Sequence, residues 1–232
     1  MSSFTFKQFH INQQHCAMKV GTDGILLGAW ADVSDCQRIL DMGTGTGLVA
    51  LMLAQRSHEH CQIEAVELDP LAAQQAQENF KASPWHNRLH LTRQDVQAYC
   101  QQTAHQFDLI VANPPYFAQG VECKNDERAL ARYVQQSHLD WLNWAASCLS
   151  EKGKISFILP HEAGKILINS TALYCIKQTD VITKTGKDPQ RMLLTFSREH
   201  LPQVKDSLVI YDENNQYTEE FIALTKAFYL KM

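Results

Sequence analysis

The stretch Arg38-Ile39-Leu40-Asp41-Met42-Gly43-Thr44-Gly45-Thr46-Gly47 decides the fold. Its first four residues read as a buried strand that ends in an acid. Three glycines at alternate positions follow. They run into an apolar helical segment, Leu48-Val49-Ala50-Leu51-Met52-Leu53-Ala54-Gln55-Arg56. Strand, glycine loop and helix in that order make a nucleotide-type site, because glycines permit a tight turn and let a ligand approach the backbone closely. Taken alone, the loop is a moderate signal, and a tight structural turn is its lesser reading. The spacing is G-x-G-x-G, not the G-x-G-x-x-G of dinucleotide binders, which disfavours a dehydrogenase. No Gly-Lys-Ser/Thr follows, so it is not a P-loop either.

Working outward, three further strands end in polar residues. Gln62-Ile63-Glu64-Ala65-Val66-Glu67 closes on an acid that can accept two ribose hydroxyls. Leu68-Asp69-Pro70 then opens a helix over about 71–81, with Asp69 as its cap and Pro70 in its first turn. Leu89-His90-Leu91-Thr92 is followed by Asp95. That acid reads either as the N-cap of the next helix or as an acceptor for an adenine amine. Phe107-Asp108-Leu109-Ile110-Val111-Ala112 runs into Asn113-Pro114-Pro115-Tyr116. Two adjacent prolines offer no N–H and continue neither a ladder nor a helix. The residue before the first proline is pushed toward an extended conformation. Asn113 and the neighbouring carbonyls then face the crevice above the sheet, with the Tyr116 ring beside them. This suits a planar group with an exocyclic amine.

Strands and helices alternate from residue 38 to 172, which implies a largely parallel sheet with helices on both faces. Ligands bind above the carboxyl ends of such strands. Asp41, Glu67, Asp95 and Asn113 all fall at or just after those ends. A helix over Leu139–Leu149 buries Trp141, Leu142, Trp144 and Ala145, and Gly153 is expected to end it. Lys154–Pro160 is the fifth strand, and 163–172 suggests a helix. A strand from about Leu173 to Ile182 and another over Met192–Phe196 flank a basic turn. Between Val181 and Arg198 four bases face the single acid Asp188. Lys184, Lys187 and Arg191 there are read either as a phosphate clamp or as a solvated hairpin tip. Arg128 and Arg132, one helical turn apart, have the same two readings. Leu208–Tyr211 is a short strand candidate and Thr218–Tyr229 a terminal helix. Phe4, Phe6 and Phe9 suggest a hairpin or irregular cover, and Gly21-Thr22-Asp23 a turn before a short helix.

The 232 residues are 45% hydrophobic and 20% charged, with a net charge of −4. That is enough chain for one well-buried core, and it excludes a generally basic nucleic-acid coat protein. A local basic face remains open to RNA. Seven cysteines without a C-x-x-C pair read as reduced cytosolic thiols rather than a zinc site. No metal is expected. The start of the chain lacks a signal-peptide pattern, and no apolar run approaches the roughly 18 residues that span a bilayer. The expectation is a cytoplasmic protein with no membrane contact.

The set Asp41–Gly47, Glu67, Asp95 and Asn113–Tyr116 resembles the S-adenosylmethionine-dependent methyltransferases that methylate amino groups. The resemblance covers about residues 18–197. It implies an α/β, Rossmann-like methyltransferase fold: a seven-stranded, mostly parallel sheet with helices on both faces and an antiparallel last strand. Residues 1–232 would form a single methyltransferase domain, with 1–37 as cover and cofactor cap, 38–198 as catalytic core and 199–232 as extension. Phe4-x-Phe6-Lys7-Gln8-Phe9, the run Cys16–Trp30 and Lys187-Asp188-Pro189-x-Arg191-x-Leu193-Leu194 are similar to the bacterial tRNA adenine-N6 methyltransferases that act on adenosine 37 of a valine tRNA. Asp188 departs mildly from that family, where a second proline is common.

The resemblance implies S-adenosylmethionine as cofactor and the anticodon loop of a valine tRNA as partner; separately, a monomer is expected. Gly43, Gly45 and Gly47 would let the backbone approach the cofactor's methionine part, near Asp41. Lys19, Gly21 and Thr22 would cap that end. Glu67 would hold the ribose and Asp95 would accept from the adenine amine. Asn113, which also borders the cofactor, and the Pro114 carbonyl would accept the target N6 hydrogens while the target base stacks on Tyr116. A protein-glutamine N5 enzyme shares this chemistry but carries a helical domain ahead of the glycine loop. An rRNA guanine-N2 enzyme shares it too, usually with Phe after the prolines. A DNA adenine enzyme would bring a target-recognition domain. A non-catalytic nucleotide-binding scaffold would not need the acid–Asn set.

Overall fold

A computed structural model describes residues 3–14, 19–115 and 137–231. The expectations that fall on Tyr116, Arg128 and Arg132 lie outside the described residues, as do Cys16–Met18.

The chain opens with a hairpin, β1 (Ser3–Thr5) and β2 (His10–Asn12), then α1 (Thr22–Trp30). The alternating core follows: β3 (Arg38–Met42), α2 (Leu48–Arg56), β4 (Gln62–Glu67), α3 (Pro70–Ala82), β5 (Leu89–Arg93), α4 (Val96–Gln102) and β6 (Phe107–Ala112). After it come α5 (His138–Ser147), β7 (Leu149–Pro160), α6 (His161–Ser170), β8 (Tyr174–Lys184), β9 (Arg191–Ser197), β10 (Val204–Tyr211) and α7 (Glu219–Thr225).

The main sheet has the order β10-β8-β9-β7-β6-β3-β4-β5. The pairs β3–β4, β4–β5, β3–β6 and β6–β7 are parallel, and β9 runs antiparallel to both β7 and β8. This is the expected Rossmann-like methyltransferase sheet of seven strands, with β9 as its antiparallel last core strand. β10 adds an eighth strand, paired parallel to β8 at the edge. Its first residues, Val204-Lys205-Asp206-Ser207, are exposed, so main-chain pairing holds them without a buried face to signal it.

Helices cover both faces. Ile25, Leu26 and Leu27 of α1, Leu51 and Met52 of α2 and Phe80 of α3 form one core layer with Ile39 and Ile63. Tyr99 of α4, Trp141 and Leu142 of α5 and Leu167 of α6 form the other, with Leu40, Ile110 and Phe157. Two arginines, the half-buried Arg56 and the buried Arg88, fasten helix ends. Arg56 Nη1 donates to the carbonyls of Gly28 at 2.8 Å and Ala31 at 2.7 Å, closing the end of α1. Arg88 donates to the Ala54 carbonyl near the end of α2 and to Cys61 at 3.2 Å. The N-terminal hairpin stacks Phe6 on Phe9 at 4.6 Å and hydrogen-bonds to the C-terminal segment through Lys7 N–H and the Phe228 carbonyl.

Gly153 does not end a helix. α5 stops at Ser147, and β7 already contains Gly153. A Cβ at 153 would lie 2.6 Å from Leu149 Cδ1 and 2.8 Å from the Phe107 carbonyl oxygen, where the β6–β7 register shifts. The glycine therefore serves close approach within the sheet. Trp144 is only partly buried, beside Trp141.

The sheet reverses its direction of growth at β3. Chain order goes outward through β4 and β5, then returns to β6 on the other edge of β3. Met42 pairs with Val66 on one side and with Ala112 on the other. The residues just beyond, Gly43, Glu67 and Asn113, therefore emerge side by side. An open parallel sheet binds ligands at this crevice.

Candidate active site

The floor of the crevice is the glycine loop after β3. Asp41 is 2% exposed. Its Oδ2 accepts from Thr44 Oγ1 at 2.6 Å and from the Ala50 N–H at 3.1 Å, tying both ends of the loop to the strand. Burial pushes the Asp41 carboxyl up to about 7, with help from Glu67 and against the bonds from Thr44 and Ala50. Gly45 and Gly47 have φ of +56° and +83°. A Cβ at Gly47 would meet Phe80 Cε1 at 2.5 Å, so this glycine seats α2 on α3. A Cβ at Gly45 would meet nothing within 4 Å. There the backbone faces open space, a cradle for a ligand.

Glu67 braces that cradle. Its Oε2 accepts from the Gly45 N–H at 2.8 Å and its Oε1 from Asp69 N–H at 2.9 Å. A carboxylate offers about four lone-pair positions, so acceptor capacity for two hydroxyls remains. Asp69 caps α3, accepting from Leu71 and Ala72. Asp95 caps α4 through Oδ1 and Ala98 N–H at 3.0 Å, and the capping reading of that residue is thus realised. Its second oxygen has no hydrogen-bond partner among the described residues.

Asn113 follows β6 at half-buried depth, and Pro114 is buried. The ring of His138, at the start of α5, hydrogen-bonds to the backbone of Pro115. Burial holds His138 below the ordinary histidine value, against the opposing effect of that bond. Sequence reading missed this residue. The available signal was the capping box formed by Ser137 and Asp140, which fixes where α5 begins.

Two cavities meet at Asn113. The smaller, about 70 Å³, is lined by Lys19, Gly21, Asp41, Gly43, Gly45 and Asn113, among others. The larger, about 570 Å³, is also lined by Lys19, Gly21 and Asn113, and adds Thr22, Arg191 and Tyr211. Most of the residues read in sequence as cofactor-binding thus converge. Gly47, Glu67 and Asp95 stand behind or beside the smaller cleft rather than in its wall. Lys184 Nζ donates to Asn215 Oδ1 at 2.7 Å, and Lys187 is exposed at the hairpin tip. Arg191 is engaged: its Nε donates to Asp23 Oδ2 at 2.9 Å, joining β9 to the start of α1.

Fold and cleft together define a methyltransferase, and the family model "Methyltransferase small domain" matches residues 18–165. A predicted O-methyltransferase structure from Agrobacterium tumefaciens superposes with a TM-score of 0.70 at 20% identity, covering 89% of this chain and 96% of its own, a likeness of fold alone. A Haemophilus influenzae relative is 70% identical over 100% of both chains, and a Pasteurella multocida relative is 62% identical over 99% of this chain and 97% of its own. Both are named tRNA1(Val) (adenine(37)-N6)-methyltransferase. The chain belongs to that family.

The cofactor of such enzymes, S-adenosylmethionine, carries an ammonium, two ribose hydroxyls and an adenine amine. The donor set fits it: an open glycine backbone at Gly45, and carboxylates at Asp41, Glu67 and Asp95 as acceptors.

The two loop glycines should respond differently to a methyl group. Gly47→Ala should cost about 2–4 kcal/mol of stability through strain and overlap with Phe80. Gly45→Ala should cost only about 1 kcal/mol but weaken S-adenosylhomocysteine binding. Melting temperature and calorimetric titration separate the two effects. For Asp41, an acid raised in the folded state stabilises the fold while neutral. That contribution is complete below the ordinary value of 3.8 and is lost as pH rises through about 7. Asp41→Asn keeps the acceptor oxygen for Thr44 and Ala50. Its melting temperature relative to the parent should therefore rise steadily across that interval.

Proposed function

We propose that the protein transfers the methyl group of S-adenosylmethionine to the exocyclic N6 of adenosine 37 in the anticodon loop of tRNA1(Val). The observation that carries this reading is Asn113, shared by the glycine-loop cleft and the larger groove. The names of the relatives supply the substrate, and the finer terms of the same proposal are the valine isoacceptor, a single methyltransferase domain over 1–232, a monomeric working unit and a cytoplasmic location. No helix among the described residues is long and apolar enough to cross a membrane.

When bound, S-adenosylmethionine supplies an electrophilic methyl group on a sulfonium centre. Lys19, Gly21 and Thr22 close over its methionine end, and Asp41 with the backbone of Gly43 and Gly45 forms the opposite wall. Gly47 seats the helix that carries the loop. Glu67 accepts from the ribose hydroxyls, and the second oxygen of Asp95 accepts from the adenine amine.

The target base must leave its stack for its amine to face the methyl donor. Asn113 and the Pro114 carbonyl accept the two N6 hydrogens. Those bonds draw electron density to a nitrogen whose lone pair is otherwise delocalised into the ring, and they favour tetrahedral geometry there. The proton leaves after transfer, so no strong base need precede attack. His138 holds the Pro115 backbone and so steadies the corner. In this proposal Tyr116 stacks on the target base, and Arg128, Arg132, Lys184 and Lys187 meet phosphates. Arg191 acts through its ion pair with Asp23, keeping the rim in shape.

The test is incubation of pure protein with labelled S-adenosylmethionine and total tRNA from a host lacking the gene. Label should appear in N6-methyladenosine beside a valine anticodon. Unlabelled tRNA alongside labelled ribosomal RNA or release factor would refute the substrate. Lys184→Gln with Lys187→Gln should weaken tRNA binding and lower the slope of log affinity against log salt by about one for each phosphate left without its lysine. An unchanged slope would reduce both lysines to solvated rim.

A further inference from the structure

The larger groove has a wall that the proposed chemistry does not use. It is built by the C-terminal part of the chain, from β10 onward. Tyr211 stacks on Tyr217 with centroids 4.9 Å apart and planes at 23°, and Tyr217 stacks on Phe221 at 4.9 Å and 29°. Phe221 is 1% exposed, whereas Tyr217 is 38% exposed. The column is rooted in the core at Phe221, holds Tyr217 between two rings, and has the half-buried Tyr211 as its open end. All three rings line the same cavity as Asn113.

The open end is held in place. Asp212 Oδ1 accepts from the N–H groups of Asn214 and Gln216, both at 2.8 Å, and Asn215 adopts φ of +60°. This tight turn sets Tyr217 back against Tyr211 across an antiparallel bridge. Thr218 then caps α7 and donates to the Val209 carbonyl. The turn is also tied to the basic hairpin. Lys184 Nζ reaches Asn215 Oδ1, Thr185 N–H donates to the Tyr211 carbonyl at 2.9 Å, and Lys184 lies opposite Tyr211 in the β8–β10 register. A stacked aromatic end thus stands beside an ammonium at the mouth of the groove.

A column of rings needed only to pin α7 onto β10 would be covered. Here its half-buried and exposed members face the groove that leads to Asn113. Aromatic faces next to lysines are the chemistry that binds unpaired nucleotides, by base stacking and phosphate contact. An apolar protein partner would not call for the cations Lys184 and Lys187 at the rim.

We infer that the Tyr211–Tyr217 stack is a docking platform for an unpaired nucleotide flanking the target adenosine, with Lys184 on its phosphate. This rests on the tRNA reading above and deepens it. The platform holds the loop open while the target base enters the crevice at Asn113. The C-terminal segment is then part of the substrate site, not merely cover for the sheet.

The experiment measures binding of an anticodon stem-loop, with 2-aminopurine beside position 37, to the full-length protein. Tyr211→Leu should weaken binding about tenfold and abolish the fluorescence quenching seen with the parent. Tyr211→Phe, which keeps the ring, should restore both. S-adenosylhomocysteine affinity should stay within about twofold throughout. If Tyr211→Leu does not fold, Tyr217→Leu removes the ring that backs Tyr211 and should weaken binding and quenching in the same direction. Parent-like affinity and quenching in the folded leucine variants would overturn the platform while leaving the activity untouched. Conversely, a parent protein that binds the stem-loop through Tyr211 yet transfers no methyl group to tRNA would refute the activity and keep the platform.

Discussion

Pairing of β3 on both its edges is the constraint from which the rest of the molecule follows. β4 holds one edge and β6 the other, in parallel register that ends level on both sides. The chain leaves β3 in one direction and returns from the other, so the helices on either side cannot fill the gap above the strand ends. A crevice is the geometric result. Everything chemically distinctive in the chain emerges there: the glycine loop after Met42, Glu67 after Val66, Asn113 after Ala112.

The acids of the crevice have structural as well as ligand-facing capacity. Asp41 ties Thr44 and Ala50, Glu67 ties Gly45 and Asp69, and Asp95 ties Ala98. Each carboxylate is held by backbone or hydroxyl donors before any ligand arrives. A site built this way needs little reorganisation when it is filled, which is the usual source of strong electrostatic stabilisation. The cost is visible at Asp41, where burial drives the carboxyl toward its neutral form. On the substrate side the same economy recurs, since the turn that presents Tyr217 is also the anchor for Lys184.

Much of this was legible in the sequence because it is local. Strand, glycine loop and helix from Arg38 to Arg56 form a continuous pattern, and Asn113-Pro114 has its backbone preference written into the prolines. What was not legible depends on contacts between distant segments. Gly153 looked like a helix stop, because only the folded sheet shows the Phe107 carbonyl pressed against it. For Arg191, read as part of a phosphate clamp or a solvated hairpin tip, the ion pair was invisible because its partner Asp23 lies at the other end of the chain. β10 carries little periodic signal over its exposed first half, and its pairing with β8 is a main-chain affair. Tyr211 read as the end of a short strand and Tyr217 fell between that strand and the terminal helix, and only the intervening turn makes them a stack.

In the proposed mechanism Asn113, which borders both the glycine-loop cleft and the larger groove, acts on the transferring amine. The decisive experiment is single-turnover methyl transfer to tRNA by Asn113→Ala at saturating cofactor and tRNA. The rate should fall at least about a hundredfold below the parent, with S-adenosylhomocysteine affinity reduced far less. A parent-like rate, or a loss of cofactor affinity as large as the loss of rate, would contradict that role.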